Sequence, residues 1–346
     1  MEKTMKALLV RGRGDVVMTE RPVPEVKGGE ILVKVHSCGI CHTDVNSRTG
    51  FSLRDNYPFI PGHEFSGTIV ACGDGVRNRK VGDRGVIHQI VGCGICRSCT
   101  MSLPVQCIVY QELGNGLDGG FAEYCVMPEK CFFPISDSMS FEQGTIVEPL
   151  ANATWATHNA AILPGDTVVI IGPGPIGIMA AKVASLMQPE KVILVGTRDK
   201  RLEMGRRYGA THTVNIRSEG AEEYLLNDLL EGKGADAVID ASGSLDGLKT
   251  AVKLAKRGTR ICLEGSIAPG EILPFMPSAF PANASIKRLS AWRTADFLNS
   301  LNMIAEHRID VDPLITHVLS FENWEKGFDL ATFSKDDAIK VILNME

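Results

Sequence analysis

Residues 166–177 read DTVVIIGPGPIG. The run Asp166 to Ile171 is apolar and β-branched, the texture of a buried parallel strand. It stops at a turn in which Gly172, Gly174 and Gly177 keep the spacing G-x-G-x-x-G, with Pro175 and Ile176 inside it. Ile176 to Met187 then carries apolar residues at helical spacing. In that setting the glycines have a purpose. They permit the tight turn, let a pyrophosphate approach the backbone, and open a helix whose first N–H groups are free. A tight strand-to-helix turn without a ligand is the plainer alternative, but the strand before and the helix after it favour dinucleotide binding.

Working outward, the alternation continues downstream. Lys191 to Val195 reads as a strand, Glu203 to Tyr208 as a helix ending at Gly209, and Asp236 to Asp240 as a strand. A helix over Leu245 to Leu254 and a strand over Arg260 to Leu263 follow. Strands alternating with helices imply βαβ units and a doubly wound parallel sheet, a Rossmann arrangement. Upstream the texture differs. Strand-like runs at Lys6 to Val10, Ile31 to His36, Gly67 to Ala71 and Phe121 to Met127 are separated by turn signals at Pro22, Pro24, Gly28, Gly73 and Gly119. This half reads as a compact β-barrel-like domain carrying loops. The last fifty or so residues lose the alternation and are expected to rejoin it.

The tip of the second parallel strand bears on the choice of cofactor. NAD binders place Asp or Glu there, roughly 20 residues beyond the glycines, to hold the ribose hydroxyls. Here the tip reads Val195-Gly196-Thr197-Arg198, with Asp199 slightly late. A small residue, a hydroxyl and Arg198, with Arg201 nearby, suit a 2′-phosphate. The sequence therefore favours NADP(H), with NAD(H) as the alternative.

Four cysteines lie within fifteen residues: Cys93, Cys96, Cys99 and Cys107, spaced C-x2-C-x2-C-x7-C. Four thiolates can surround one zinc tetrahedrally and leave no open position, so the expectation is a structural zinc site. Two disulfides or a redox CxxC are the alternatives. Cys38 and Cys41 make a second CxxC. Cys72, Cys125, Cys131 and Cys262 are scattered, as small buried hydrophobes are. Cys41 stands in CGICHTD, His63 and Glu64 in PGHEFSG, and Glu148 in VEPLAN. Their spacing alone does not join them.

Bulk properties narrow the class. The 346 residues suggest about two domains. A hydrophobic fraction of 44% is enough for a core, and a net charge of -5 argues against nucleic acid as partner. The start, MEKTMKALLV, lacks the pattern of a secretory signal, and no apolar run is long enough to span a membrane. The expectation is a soluble cytoplasmic protein.

Taken together, GICHTD, PGHEFSG, the four-cysteine lobe, DGGFAEY, VEPLANA, GPGPIG and PLITHVLSFENWEKGFD resemble the zinc-dependent medium-chain dehydrogenases/reductases, the alcohol, sorbitol and threonine dehydrogenase superfamily. They occur in that superfamily's order from near residue 30 to the C-terminus. The resemblance implies a GroES-like catalytic domain over 1–152 and 293–346 and a Rossmann domain over 153–292. It makes Cys41 and His63 ligands of a catalytic zinc, with Glu64 and Glu148 as oxygen donors beside them. Either glutamate could be the third ligand. Position 148 is Cys in common alcohol dehydrogenases, so Glu148 points to the sorbitol-dehydrogenase-like branch and to polyols, sugar alcohols or amino alcohols. Zinc with an open position lowers the pKa of a substrate alcohol, and a nicotinamide takes the hydride. Thr43 matches the hydroxyl that accepts the alcohol proton, and His42 a position that can touch the cofactor pyrophosphate. Three residues after Thr43, many relatives carry a histidine that hands the proton to solvent. Asn46 stands there instead. Asn152, Trp155 and Trp292 could line the pocket or simply pack. The implied activity is hydride transfer between a small-molecule alcohol or ketone and NAD(P), in a homodimer or homotetramer. A non-enzymatic nucleotide binder of the same fold and a zinc-scaffolded redox sensor are the alternatives.

Overall fold

The computed structural model describes residues 3–51, 56–265, 280–333 and 337–345. The chain divides into two compact units, Met1–Pro149 with Arg293–Glu346, and Leu150–Trp292.

The first unit begins with an antiparallel pair, β1 (Thr4–Gly12) and β2 (Asp15–Pro22). Next come β3 (Glu30–Gly39), helix α1 (His42–Thr49), β4 (Glu64–Cys72), β5 (Arg84–Ile87), β6 (Ile90–Val91), the short helix α2 (Arg97–Thr100) and β7 (Gln111–Glu112). After these come β8 (Tyr124–Pro128), β9 (Phe132–Pro134), helix α3 (Phe141–Thr145), and helix α4 (Val147–Asn159), which ends in the second unit. The second unit continues with β10 (Thr167–Ile171), α5 (Pro175–Ser185), β11 (Lys191–Gly196), α6 (Asp199–Arg207), β12 (His212–Asn215), β13 (Ala235–Asp240), α7 (Leu245–Lys253), β14 (Ala255–Leu263) and β15 (Ser285–Arg288). The chain then returns to the first unit with α8 (Thr294–Ala305), β16 (Ile315–Ser320), α9 (Trp324–Phe333) and β17 (Lys340–Asn344).

In the second unit the described strands form one six-stranded sheet, ordered β12-β11-β10-β13-β14-β15, with every pairing parallel. β10 lies inside the sheet, and Val168, Val169 and Ile170 are wholly buried, which is why its sequence runs apolar without alternating. The order reverses at β10, whose two neighbours are β11 and β13. The C-terminal end of such a strand is where open α/β sheets bind ligands.

In the first unit, apart from the pairs β1-β2 and β6-β7, the described strands form a mostly antiparallel seven-stranded sheet, β16-β17-β3-β4-β5-β9, with β8 also on β3. β3 is its spine. Its early residues pair with β8, its whole length with β4, and its last residues, Ser37 to Gly39, with β17 from the far end of the chain. Alternate residues Ile31, Val33 and Val35 enter the core with Phe65, Ile69, Phe121, Phe328 and Leu343.

Two elements differ from their sequence reading. The strand expected over Phe121 to Met127 begins only at Tyr124. The preceding backbone is used elsewhere: the N–H groups of Gly119, Gly120 and Phe121 donate to the carbonyls of Ile60, Gly62 and Pro61, at 2.7–3.0 Å. The glycine pair therefore braces the loop that carries His63. The helix expected over Glu203 to Tyr208 starts at Asp199, with Arg198 extended before it. Its first turn is charged, so no apolar rhythm marks it.

Candidate active site

Cys41 follows the end of β3 and caps the N-terminus of α1. His63 and Glu64 sit at the entry to β4, the strand paired with β3. The register that pairs Gly39 with Glu64 brings both segments to one end of the sheet. Ligand atoms of Cys41, His63 and Glu64 lie within 4.8 Å of one another. His63 is 4% exposed and Glu64 2%, so the cluster is inside the unit rather than on its surface. Glu148, in the first turn of α4, lies outside that set of three but is also buried and is felt electrostatically by His63.

Three residues that sequence reading did not assign hold this cluster and the neighbouring Glu148. Asp44 is 1% exposed. Its carboxylate accepts the Cys41 N–H at 2.9 Å and the Gly62 N–H at 3.1 Å, tying the two ligand-bearing loops together. It also stands 4.0 Å from Nδ1 of His63. Lys340, on β17, donates to the Ile40 carbonyl at 3.1 Å and to Oε2 of Glu64. Gln89 donates from Nε2 to Oε1 of Glu148 at 3.0 Å. Asp44 had a local signal, since an acid three residues after Cys41 completes a capping box. Lys340 had a fainter one, a lone cation within the apolar run AIKVIL. Gln89 had none.

The electrostatics describe a place short of positive charge. Burial alone would lower the pKa of His63, but Cys41, Asp44 and Glu148 surround the ring and raise it well above its ordinary value. Burial pushes Glu148 up to about 8, reinforced by Glu64 and opposed by His63 and Lys340. Burial likewise raises Asp44, against the pull of His63 and the two backbone N–H groups. Protons are held tightly where acids crowd and water is excluded. A divalent cation would supply the missing charge. One thiolate, one imidazole and carboxylates are a donor set suited to zinc, and Nδ1 of His63 is a buried nitrogen with no hydrogen-bond partner. The residues fit the metal.

Thr43 and His42 are exposed in the first turn of α1, and the Cys41 thiol lies 3.7 Å from Oγ1 of Thr43, to which it can donate. Asn46 sits further along the same helix, its carbonyl accepting the N–H groups of Gly50 and Phe51.

Cys93, Cys96, Cys99 and Cys107 form a second cluster within 4.8 Å. Backbone N–H groups already point at its sulfurs: Cys96 donates to Cys93 at 3.3 Å, and Cys93 to Cys107 at 3.2 Å. The N–H groups of Ile95 and Cys96 bring the Cys93 thiol down to about 6, while burial raises Cys99 to about 11. All ten cysteines are free thiols.

In the second unit the glycine turn has the shape a dinucleotide needs. Gly172 has a φ of +97° and lies against the backbone of Ser242. A Cβ on Gly177 would meet the Gly172 carbonyl oxygen at 2.0 Å, so only glycine lets α5 pack on the turn. A Cβ on Gly174 would meet nothing within 4 Å; there the backbone faces open space at the N-cap of α5, with Pro175 as the first helical residue. Open backbone at a helix N-terminus is what dinucleotide-binding turns in general offer a pyrophosphate. Thr197 and Arg198 are exposed just beyond β11, with Arg201 one turn into α6. Trp292 is 1% exposed and packs in the core. Trp155 carries Lys287 over its ring at 5.5 Å.

Comparison with known proteins agrees with this geometry. Residues 27–137 match the alcohol dehydrogenase GroES-like domain, and residues 175–306 match the zinc-binding dehydrogenase family. A sorbitol dehydrogenase from Bacillus subtilis is 30% identical over 99% of this chain and 97% of its own length. A zinc-binding dehydrogenase from Sinorhizobium meliloti, solved with NADP, superposes with a TM-score of 0.89 at 27% identity, covering 99% of this chain and 100% of the other. An alcohol dehydrogenase from Escherichia coli, solved with NADH, superposes with a TM-score of 0.87 at 30% identity and the same coverage. No described helix is long and apolar enough to cross a membrane. With both domains matched in order and relatives aligned along nearly its whole length, this chain belongs to the zinc-dependent medium-chain dehydrogenase/reductase superfamily and is a dehydrogenase.

Proposed function

We propose that this enzyme oxidises a secondary alcohol of the polyol, sugar-alcohol or amino-alcohol type, with NADP(H) preferred over NAD(H). The first unit would carry the metal chemistry and the second would bind the dinucleotide. When bound, zinc supplies a Lewis acid and the nicotinamide a hydride acceptor. The convergence of Cys41, His63 and Glu64, from separate segments, into one buried cluster carries the reading.

The chain's own residues do the rest. Cys41, His63 and Glu64 hold the metal, with Glu148 as a second carboxylate within electrostatic reach. Thr43, beside Cys41, takes the proton of the substrate hydroxyl. With Asn46 where a protonatable histidine would otherwise stand, that proton leaves Thr43 by way of water, the cofactor ribose or His42. Gly172, Gly174 and Gly177 with the N-terminus of α5 seat the pyrophosphate, and Thr197, Arg198 and Arg201 face the 2′-phosphate. The four-cysteine lobe holds a second, structural zinc. The relationship to sorbitol dehydrogenase supports the polyol class. As β15 ends the described sheet, its outer edge is the place for a second copy in a homodimer or homotetramer.

The experiment is reduced-nicotinamide absorbance on zinc-replete protein offered polyols, simple alcohols and threonine, with NADP and NAD separately. Cys41→Ala and His63→Ala should abolish turnover while NADPH still binds, and metal analysis should fall from two zinc ions per chain to one. Full activity in either variant would sink the reading.

A further inference from the structure

The parallel register pairs Gly196 at the tip of β11 with Asn215 at the tip of β12. Beside them the Ile216 N–H donates to the Gly196 carbonyl at 2.9 Å, which fixes the two tips together. From this rim Asn215 reaches across to α6: its Nδ2 donates to Oδ1 of Asp199 at 2.7 Å. Its amide oxygen accepts the Arg217 N–H at 3.1 Å. The amide can sit only one way round, because a flip would set donor against donor and acceptor against acceptor.

Asp199 is the one acid in the stretch Gly196 to Arg201, which otherwise reads Gly-Thr-Arg before it and Lys-Arg after it. It is exposed, and its backbone adjoins the strand tip where a ribose is read. A carboxylate free to swing toward that tip would grip a ribose diol and repel a 2′-phosphate. The observed hydrogen bond holds it on the β12 side instead.

We propose that Asn215 is a positioning residue for cofactor choice, clamping the Asp199 carboxylate against β12 so that Thr197 and Arg198, not an acid, meet the ribose 2′ position. This rests on the NADP reading above and deepens it. The clamp works by geometry, not by neutralising charge, since an amide carries none. It also accounts for an acid in this loop. Asp199 stands in the first turn of α6, where a carboxylate complements the helix dipole, and the clamp lets it stay there without serving as a ribose ligand. A simple helix-start role is the competing explanation, and the two diverge in what a second substitution does.

The test uses the full chain and follows binding of NADPH and NADH by nicotinamide fluorescence in the parent, Asn215→Ala, Asp199→Ala and the double variant. Asn215→Ala should lower the ratio of NADPH to NADH affinity by about three- to tenfold, the effect of a released carboxylate near a phosphate in a solvated rim. Adding Asp199→Ala should restore the ratio, and Asp199→Ala alone should leave it nearly unchanged. An unchanged ratio in Asn215→Ala overturns the proposal, even if that variant melts earlier, as does a loss that Asp199→Ala fails to restore. A parent that prefers NADH removes the NADP reading alone. The clamp is then still judged by whether Asn215→Ala moves the ratio further toward NADH and Asp199→Ala moves it back.

Discussion

The ammonium of Lys340 and the carboxylate of Glu64 pair inside the first unit with side chains only 4% and 2% exposed, although 276 residues separate them. Burial alone would lower the Lys340 pKa, yet Glu64 and Cys41 raise it, so the lysine stays charged. Such a pair adds little net stability over an apolar replacement, but removing one partner strands the other. Lys340→Met should therefore destabilise metal-free protein by about 3 kcal/mol in urea unfolding, with most of the loss recovered by adding Glu64→Gln. If Lys340→Met matched the parent, Glu64 would not depend on it.

Asp44 supports a second prediction. It binds the Cys41 and Gly62 N–H groups at once, so it sets the distance between the Cys41 and His63 loops. Asp44→Asn can satisfy only one of those donors with its single oxygen. Affinity for the catalytic zinc should fall on the order of 10–100-fold, the usual effect of removing a partner that orients ligands. A chelator competition should show one weakened ion, with the four-cysteine ion as an unaffected internal control. Equal retention of both ions would show that Asp44 does not orient the ligands.

The glycine turn separates folding from binding. Gly177→Ala drives a methyl into the Gly172 carbonyl, and should cost ~1–3 kcal/mol of stability in the second unit. Gly174→Ala has room for its methyl and should melt like the parent. Its NADPH affinity should nonetheless fall roughly tenfold, about 1.4 kcal/mol, because the methyl occupies the approach of the pyrophosphate. Unaltered binding in Gly174→Ala would place the dinucleotide elsewhere.

His88 gives a pH prediction. It is 3% exposed, its ring centroid 5.1 Å from that of Phe297, and burial lowers its pKa to about 4. An unfolded histidine titrates near 6.5, so between these values the unfolded chain binds the extra proton. His88 thus favours folding above pH ~6.5, and that contribution, at most about 3 kcal/mol, is lost as pH falls toward 4. His88→Phe should unfold less steeply over that window when denaturation curves are taken at several pH values. Parallel curves for the two proteins would show that His88 is not held neutral.

The second unit was the more legible half because its evidence is local. A strand, its turn and its helix lie within some twenty residues, and the glycine spacing records the close approach of backbones directly. The four-cysteine lobe was legible for the same reason. The Cys41, His63 and Glu64 cluster was different. Cys41 and His63 stand in separate segments, and only resemblance joined them before the β3–β4 register did so physically. Gln89 was invisible and Lys340 only faintly marked, because their importance comes from burial beside a carboxylate, which no neighbour in sequence announces. Gly119 and Gly120 were seen as a turn, but their bracing of the His63 loop required the backbone.

The pairing of β17 with β3 also has a consequence for how the enzyme is made. The strand leading to Cys41 gains its last neighbour, and Glu64 its counter-charge, only once residue 340 has been synthesised. A nascent chain on the ribosome has the whole of the second unit before it has the last strand of the first. Until then Cys41, His63 and Glu64 are all present without the lysine that pairs with that glutamate's carboxylate. A premature stop just before residue 340 would leave every proposed zinc ligand encoded while removing both the lysine that pairs with Glu64 and the strand that borders β3.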